Sequence, residues 1–132
     1  MIIADIDHFK SINDTWGHQV GDQVIVEVAR RVGACLRGED RVFRYGGEEF
    51  VVLTHALDKS ALEVLCERIR LAIADAPIQL GDARSLQVTA SSGASSMCPE
   101  QDTRWEDILQ RADAALYAAK EGGRNRVVLH RD

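Results

Sequence analysis

A seven-residue stretch, Arg44-Tyr-Gly-Gly-Glu-Glu-Phe50, constrains the fold of this chain more than any other feature. Apolar, β-prone residues precede it at Val42 and Phe43, and the same kind of residue follows it as far as Leu53. Two strand-like runs separated by a Gly-Gly pair predict a tight β-hairpin, because primed turns require a positive φ at their central positions. The fold is therefore expected to contain an antiparallel strand pair.

The same stretch carries two adjacent carboxylates, Glu48 and Glu49, where the chain re-enters a strand. Their like charges repel unless solvent or a cation screens them. Gly46 and Gly47 have no Cβ, so a bulky ligand can approach the backbone. Such a turn suits Mg²⁺ and a phosphate, because Mg²⁺ prefers oxygen ligands. A solvated surface turn is the simpler interpretation, and these residues alone favour it.

Composition limits the class of protein. The 132 residues are 45% hydrophobic and 28% charged, which is typical of one globular domain with a single core. No apolar run approaches the roughly 20 residues that span a bilayer, and no signal peptide opens the sequence. We therefore expect a cytoplasmic segment without membrane contact of its own, either as a separate protein or as the cytoplasmic part of a larger, membrane-anchored one. The net charge of −5 argues against a nucleic-acid surface but allows a mononucleotide whose phosphates are neutralised by Mg²⁺. The cysteines Cys35, Cys66 and Cys98 lack metal-ligand spacing and fit a reducing compartment.

Periodicity predicts the element order β-α-β-β-α-β, followed by one more helix and strand. With the antiparallel pair in the middle, this order predicts an α+β fold with a ferredoxin-like core. The predicted segments are a strand over Met1–Ile6, a short helix and loop over His8–Gly21, a helix over Val20–Leu36 closed by Gly38, the hairpin, a helix over Lys59–Asp75, a loop over Pro77–Ser85, a strand over Leu86–Ser96, a helix opened at Thr103 and a strand over Arg126–Leu129.

Each long helix shows one apolar stripe, which we expect to be buried. Capping boxes are predicted at Ser60/Glu63 and Thr103/Glu106, where a hydroxyl residue precedes a glutamate by three positions. Asp113 and Tyr117 are expected to fix the last helix to the body. The stripes consist of Val24, Val28, Val32 and Leu36, of Leu62, Leu65, Ile69 and Ile73, and of Ile108, Leu109, Ala112, Leu116 and Ala119.

Polar residues near the first strand allow two interpretations. Asp5 and Asp7 share one face if the strand continues past Ile6, and otherwise only Asp5 is committed to the site. Asp5 would add an oxygen ligand opposite the Glu-Glu hairpin. Asn13 and Asp22 offer the amide and carboxylate that can pair with guanine, but they also suit a turn residue and a helix N-cap.

Basic residues outside the hairpin are equally open to two interpretations. Arg37 and Asp40 fit a helix end followed by a turn, and Arg37 can also bond a phosphate or stack on a guanine. Lys120 and Arg124 flank a Gly-Gly turn at a predicted helix end. They can complement the helix dipole or reach the outer oxygens of a triphosphate.

Several segments together resemble the GGDEF family, the bacterial diguanylate cyclases, in its Gly-Gly-Glu-Glu-Phe form. The resemblance covers nearly the whole chain, in the order and spacing of the family. Besides the hairpin stretch, it rests on Asp5-Ile-Asp-His-Phe-Lys-Ser-Ile-Asn-Asp14, Gly17-His-Gln-Val-Gly-Asp22, Ala112-Asp-Ala-Ala-Leu-Tyr-Ala-Ala-Lys120 and Gly122-Gly-Arg-Asn-Arg126.

The resemblance implies a palm-like domain shared with nucleotidyl cyclases and the conversion of two GTP into cyclic di-GMP and two pyrophosphates. It implies two Mg²⁺ per active site, with Mn²⁺ as the alternative ion, bound by Asp5, the Ile6 carbonyl and Glu48. The implied catalytic residues are Glu48, Glu49 and Lys10, with the division of roles between the glutamates left open. The implied GTP contacts are Phe9, Asn13, His18, Asp22, Gly46, Gly47, Lys120 and Arg124.

The resemblance also implies a second site and a second domain. Arg37 and Asp40 match the Arg-x-x-Asp motif of the family's inhibitory product site. Arg68 is either a solvated residue or a contact to the inhibitory site of a neighbouring subunit, as a comparable arginine is in some relatives. Because each domain holds one GTP, two domains must face each other for the reaction. Family members usually carry a helix and an Asp-x-Leu-Thr segment before the first strand, so residues 1–132 are expected to be one catalytic domain without that part or a sensory region. The alternative is a regulatory module that binds cyclic di-GMP or GTP without turnover.

Overall fold

The computed structural model describes residues 1–55, 57–81 and 83–130. Four helices and seven strands form within these ranges. In chain order they are β1 (Ile2–Ile6), α1 (Phe9–Trp16), α2 (His18–Ala34), β2 (Arg41–Arg44), β3 (Glu49–Leu53), α3 (Lys59–Ala74), β4 (Ile78–Gln79), β5 (Ser85–Leu86), β6 (Ala90–Ala94), α4 (Trp105–Glu121) and β7 (Val127–Leu129).

β1 lies in the centre of a five-stranded sheet with the order β2-β3-β1-β6-β7. It runs antiparallel to β3 and to β6, whereas β7 joins the far edge parallel to β6. Without β7, the order and directions are those of a β-α-β-β-α-β ferredoxin-like sheet. The predicted α+β fold is therefore confirmed, with α4 and β7 as the additions to that core.

The two faces of the sheet bury different sets of side chains. Ile2 and Ile6 belong to the larger core, which also contains the apolar stripes of α2 and α3, whereas Ile3 packs with residues of α4 on the other face. This division follows from the alternation of side chains along a strand. Asp5 is on the same side of β1 as Ile3, so its carboxylate faces α4.

α4 approaches the sheet very closely at Gly93 of β6. A Cβ at this position would lie 2.1 Å from the backbone nitrogen of Leu116, so no other residue fits without moving the helix. The contact at Gly93 fixes how closely α4 packs on β6. It brings the C-terminal end of α4 to the end of β1, where the candidate site begins.

The predicted buried stripes are confirmed, but several helix ends differ from the prediction. Val24, Val28 and Val32 are fully buried, as are most members of the α3 and α4 stripes. α2 begins at His18 and ends at Ala34, so Gly38 does not close it. The N–H groups of Cys35 and Leu36 instead donate to the carbonyls of Val32 and Gly33, which tightens the last turn without a glycine.

Both predicted capping boxes are wrong in position. The carboxylate of Asp58 caps α3 by accepting the N–H of Ala61 at 2.8 Å, so Ser60 is already inside the helix. At α4, the side chain of Asp107 accepts the backbone N–H groups of Thr103 and Arg104, at 3.0 and 3.2 Å. An aspartate can perform either role, and propensity alone does not decide which neighbouring acidic residue takes it.

Three further expectations need correction. The segment predicted as a loop over residues 77–85 contains β4, and β4 pairs with β5 as a separate two-stranded hairpin. The strand predicted over residues 86–96 is therefore shorter and starts at Ala90. Tyr117 is 67% exposed and Asp113 is also exposed, so neither residue attaches α4 to the body.

Among the described residues, no helix has the length and apolarity needed to cross a membrane.

Candidate active site

The site is built around an ion pair at the end of the central strand. Lys120, on the last turn of α4, donates to Oδ2 of Asp5 at 2.7 Å. The Asp5 side chain is 7% exposed and the Lys120 side chain 35% exposed, so the lysine reaches solvent while the carboxylate does not. The pair joins residues 115 positions apart and places a cation and an anion at one edge of the sheet.

The hairpin glutamates lie beside Asp5. Glu49 is the residue opposite Asp5 in the β1–β3 register, and the carbonyl of Glu48 accepts the N–H of Ile6 at 3.2 Å. Gly46 makes room for the Glu49 carboxylate, because a Cβ there would lie 2.7 Å from Glu49 Oε1. The hairpin therefore holds two carboxylates against the end of β1.

The connection between β2 and β3 is not the primed turn that was predicted. Neither Gly46 nor Gly47 has a positive φ. Four residues separate the strands, the carbonyl of Glu49 accepts the N–H groups of both Tyr45 and Gly46, and Arg44 donates to the carbonyl of Gly47. A connection of this length does not need the mirror-image geometry of a two-residue turn.

Electrostatics at the site favour an added cation. Burial raises the pKa of the Asp5 carboxyl, and the hydrogen bond from Lys120 offsets only part of that effect. Burial, followed by the nearby Asp5 charge, raises the pKa of Glu49. Burial is the largest single effect on Lys120 and lowers the pKa of its ammonium, but the hydrogen bond to Asp5 and the nearby carboxylate charges together outweigh it, so the pKa is raised. The carboxylates thus carry more negative charge than one lysine neutralises.

The donor set fits a divalent metal ion. Within the described ranges, no three His, Cys, Asp or Glu side chains are grouped closely enough to hold a metal by themselves. The ligand set implied by the family resemblance needs only two such side chains, Asp5 and Glu48, because the third ligand is the backbone carbonyl of Ile6. Carboxylate and carbonyl oxygens are the donors that hard divalent cations prefer, and phosphate oxygens and water complete such sites.

Asp7 has a different role from Asp5. β1 ends at Ile6, and the buried Asp7 carboxylate accepts the hydroxyls of Ser91 and Thr89 at 2.6 and 2.7 Å and the N–H of Asn125 at 3.0 Å. All of these donors come from the protein itself. Of the two alternatives for the Asp5/Asp7 pair, the one that commits only Asp5 to the site is therefore supported.

α1 and α2 meet at a sharp corner that brings Asn13 against α2. Gly17 forms the corner with a φ of 91°, which strongly favours glycine. A Cβ on Gly21 would lie 1.9 Å from Asn13 Oδ1 and 3.3 Å from the Phe9 ring. The amide of Asn13 and the ring of Phe9 are therefore close to the first turns of α2, directly before Asp22.

The structure removes the simpler interpretations of Asn13 and Asp22. Asn13 is inside α1, not in a turn, and Asp22 is inside α2, whose N-cap is Gly17. The Asp22 side chain is exposed, as are those of His18 and Lys10, so all three are available to a ligand.

Arg124 belongs to the loop that connects α4 to β7. Its backbone N–H donates to the carbonyl of Ala119 at 3.0 Å, and its φ is 64°. The side chain is exposed, and it makes no hydrogen bond or ion pair with the described part of the chain. Arg124 thus follows Lys120 closely, on the loop that Asp7 contacts through Asn125.

A second, separate cavity contains the residues predicted for a product site. Its volume is about 630 Å³, and Arg37, Asp40 and Arg68 all line it. The Asp40 carboxylate accepts the backbone N–H of Arg37 at 3.1 Å. Within the described residues, the guanidinium groups of Arg37 and Arg68 form no hydrogen bond or ion pair. None of the residues around Asp5 lines this cavity.

Two contributors to the site were missed in the sequence. Arg44 closes the hairpin on the Gly47 carbonyl, and Asp7 anchors the loop of Arg124. Both residues lie in segments that resemble the GGDEF family. No local sequence pattern, however, indicates that Arg44 bonds to the hairpin backbone or that Asp7 bonds to the backbone of the loop after α4.

The fold and the Asp5–Lys120 site define a palm-like domain of the nucleotidyl cyclase class. A family model described as "Diguanylate cyclase, GGDEF domain" matches residues 1–126. The chain therefore belongs to the GGDEF family, whose members generally use divalent metal ions.

Known proteins agree with this membership. The chain is 42% identical over 132 residues to Diguanylate cyclase A of Treponema denticola, covering 100% of this chain and 35% of that protein. It is 44% identical over 128 residues to the response regulator PleD of Caulobacter vibrioides, covering 96% of this chain and 28% of PleD. The chain thus spans about a third of the curated relatives that it matches.

Solved structures show the same fold. The crystal structure of the GGDEF domain of DgcB from Caulobacter crescentus in complex with c-di-GMP matches with a TM-score of 0.91 and 40% identity, covering 98% of this chain and 75% of that one. The active GGEEF domain of a diguanylate cyclase from Vibrio cholerae matches with a TM-score of 0.89 and 34% identity, covering 99% and 81%.

Proposed function

We propose that residues 1–132 act as one catalytic domain of a diguanylate cyclase. The observation that carries the proposal is the Asp5–Lys120 ion pair beside the Glu48/Glu49 hairpin, in a chain of the GGDEF family. The domain would act in the cytoplasm, where GTP is available. Two copies, each holding one GTP, are needed to complete the active site.

The reaction is a double nucleotidyl transfer. The 3′-hydroxyl oxygen of each GTP attacks the α-phosphorus of the other, a new P–O bond forms, and the bond to the pyrophosphate leaving group breaks. One of the two hairpin glutamates, Glu48 or Glu49, accepts the hydroxyl proton. After both transfers the products are one cyclic di-GMP and two pyrophosphates.

Two divalent ions, Mg²⁺ or alternatively Mn²⁺, would supply charge neutralisation and activation of the attacking hydroxyl when bound. Asp5, the Ile6 carbonyl and Glu48 would hold them. The ammonium of Lys120, which neutralises Asp5 in the structure, is available to a phosphate oxygen once a cation shares that carboxylate. Lys10 and Arg124 are the other proposed phosphate contacts.

Guanine recognition is assigned to the corner between α1 and α2. Asn13 offers both a donor and an acceptor, and Asp22 can accept from the N1–H and N2–H₂ groups of guanine. His18 and Phe9 are the proposed neighbours of the nucleoside. Gly46 and Gly47 are the proposed backbone contacts of the triphosphate. The open space above Gly47 supports this, because an added Cβ would meet nothing within 4 Å there, whereas the Glu49 carboxylate fills the space at Gly46.

The second cavity is proposed to bind cyclic di-GMP as a feedback inhibitor. Arg37 and Arg68 present two guanidiniums that have no hydrogen bond or ion pair with the described residues, and Asp40 presents a carboxylate, to one cavity of about 630 Å³. Guanidiniums suit phosphates and guanine faces, and the carboxylate suits guanine donors. The same cavity supports the alternative function, a module that binds cyclic di-GMP without making it.

Turnover separates the two functions. The protein is incubated with GTP and Mg²⁺, and cyclic di-GMP is measured by chromatography. The cyclase forms product, and Asp5→Asn and Glu48→Gln abolish it, whereas Asp14→Asn, a change at an exposed carboxylate of α1, leaves it intact. A wild-type protein that binds cyclic di-GMP but forms none at any protein concentration is the binding module instead.

A further inference from the structure

The loop between α4 and β7 has a backbone that needs external support. Arg124 and Asn125 adopt left-handed conformations, with φ values of 64° and 44°. Residues other than glycine adopt this region uncommonly and usually singly, so two in succession are unfavourable unless neighbouring groups hold them. Arg124 is also one of the proposed phosphate contacts, so the conformation of this loop determines the position from which its side chain extends.

Asn125 is hydrogen-bonded to other parts of the protein through both its backbone and its side chain. Its backbone N–H donates to Oδ2 of Asp7 at 3.0 Å, and its side-chain Oδ1 accepts from Nη1 of Arg70 at 3.0 Å. Asp7 is 6% exposed and follows the central strand, whereas Arg70 belongs to α3. These bonds attach the loop to the end of the central strand and to α3, which packs on the face of the sheet opposite α4.

Arg70 is itself held in place for this contact. Its Nε donates to Oε1 of Glu67 at 2.8 Å, and its Nη2 bonds to the same oxygen. The side chain is 20% exposed, compared with 67% for Arg30, which makes a similar pair with Glu27 three positions before it. Nη1 of Arg70 is thus left to bond Asn125.

We propose that Arg70, acting with Asp7 through Asn125, is a positioning residue for Arg124. The two tethers fix the backbone from which the guanidinium of Arg124 extends, so that it meets the phosphates of GTP without first ordering its loop. Catalytic and binding groups gain from such support because the ordering cost is met before the ligand arrives. The inference rests on the proposed function, in which Arg124 contacts GTP.

The first measurement is hydrogen exchange of the loop without any ligand. Arg70→Met keeps much of the aliphatic stem and removes the donors, and Arg30→Met is the matched control, because Arg30 has the same helix pairing and no bond to the loop. Exchange in residues 122–126 should become roughly threefold to tenfold faster in Arg70→Met, the size expected for one lost hydrogen bond, and stay unchanged in Arg30→Met.

The second measurement is a double-mutant cycle on ligand binding. The probe is 3′-deoxy-GTP with Mg²⁺, which lacks the attacking hydroxyl and so binds without reacting. Arg70→Met should weaken its binding roughly threefold to tenfold, and this loss should disappear when Arg124 is already alanine. A residue that merely stabilises the domain would not show that dependence on Arg124. Arg70→Lys, which keeps one donor group, should restore part of the affinity.

The outcomes are separable. Unchanged exchange in Arg70→Met, or an affinity loss that persists at full size in the Arg124→Ala background, overturns the positioning role while wild-type binding stays intact. A wild-type protein that fails to bind 3′-deoxy-GTP with Mg²⁺ overturns the proposed function, and with it the role of Arg124.

Discussion

At the scale of single residues, the carboxylates of the site are held in an environment that disfavours their charge. Glu49 illustrates this, since burial and the neighbouring Asp5 both raise its pKa, and no hydrogen bond to its carboxylate compensates among the described residues. Residues arranged for function commonly destabilise the fold that carries them.

The first prediction follows from the sign of that shift. A carboxyl whose pKa is raised in the folded state costs stability wherever it is ionised, so Glu49→Gln should raise the melting temperature at pH 7. The gain should shrink as the pH falls through the raised pKa and be absent below the ordinary value of 4.5. Thermal unfolding across pH measures it, with the exposed Glu100→Gln as control. A gain that does not vary with pH would contradict the interpretation.

The second prediction concerns guanine. Asp22→Ala should weaken GTP binding by about 1–3 kcal/mol, because the donors of the guanine edge lose their acceptor. ATP, which presents a different edge, should bind wild type much more weakly than GTP. Asp14→Ala removes the same charge from the exposed face of α1 and should have little effect. Calorimetry decides, and equal affinities for GTP and ATP would defeat the assignment.

At the scale of elements, close approach depends on glycines at two contacts. Gly93 lets α4 touch β6, and Gly21 lets the side chains of α1 touch α2. The two contacts differ in the atoms that an added Cβ would meet. At Gly93 it is helix backbone, which cannot move alone, whereas at Gly21 it is the end of a side chain, which can.

The third prediction uses that difference. Gly21→Ala should leave the protein folded but displace the Asn13 amide, and so weaken GTP binding by about 1 kcal/mol. Gly33→Ala is the control on the same helix, because nothing lies within 4 Å of its added Cβ. It should raise the free energy of unfolding by about 0.5–1 kcal/mol through helix propensity and leave GTP binding unchanged. Identical GTP affinity in both variants would exclude Asn13 from the site.

Elements also show what the sequence can predict. The stripe of Val24, Val28 and Val32 identifies the buried face of α2, because helical periodicity and burial have a common cause. The end of α2 was not predictable, since the carbonyls of Val32 and Gly33 accept the backbone N–H groups of Cys35 and Leu36, and backbone donors are present whatever the side chains. β4 and β5 are two residues long, too short for any periodic signal.

In the candidate site, too, the residues could be identified from the sequence, but their contacts could not. The resemblance supplied Asp5 and Lys120, and the structure joins them across 115 residues. No spacing rule could do so, because the contact depends on the packing of α4 on Gly93. The Arg70–Asn125 hydrogen bond likewise joins residues that are 55 positions apart. Arg70, in α3, lies outside the segments that resemble the family.

At the scale of the whole molecule, the chain has two proposed ligand sites, and none of the residues around Asp5 lines the cavity of the second. Arg37→Ala should weaken binding of cyclic di-GMP by about 1.5–3 kcal/mol, the range for hydrogen bonds to a charged group, and leave GTP affinity almost unchanged. Any product-induced dimer seen by light scattering should decrease as well. Arg30→Ala, on the exposed part of α2 and outside the cavity, is the control. GTP that displaces cyclic di-GMP competitively would mean that the two share one site.

The central place of β1 has a consequence for how the protein is made. Both neighbours of β1 come later in the chain, and Ala94, the partner of Ile2, is translated about 90 residues after it. At roughly 5–20 residues per second, several seconds pass on the ribosome before both edges of this apolar strand can be paired. Pairing over such separations is slow and exposes the strand to aggregation. Cells that make this domain in quantity should therefore depend on chaperones that shield the nascent chain until β6 emerges.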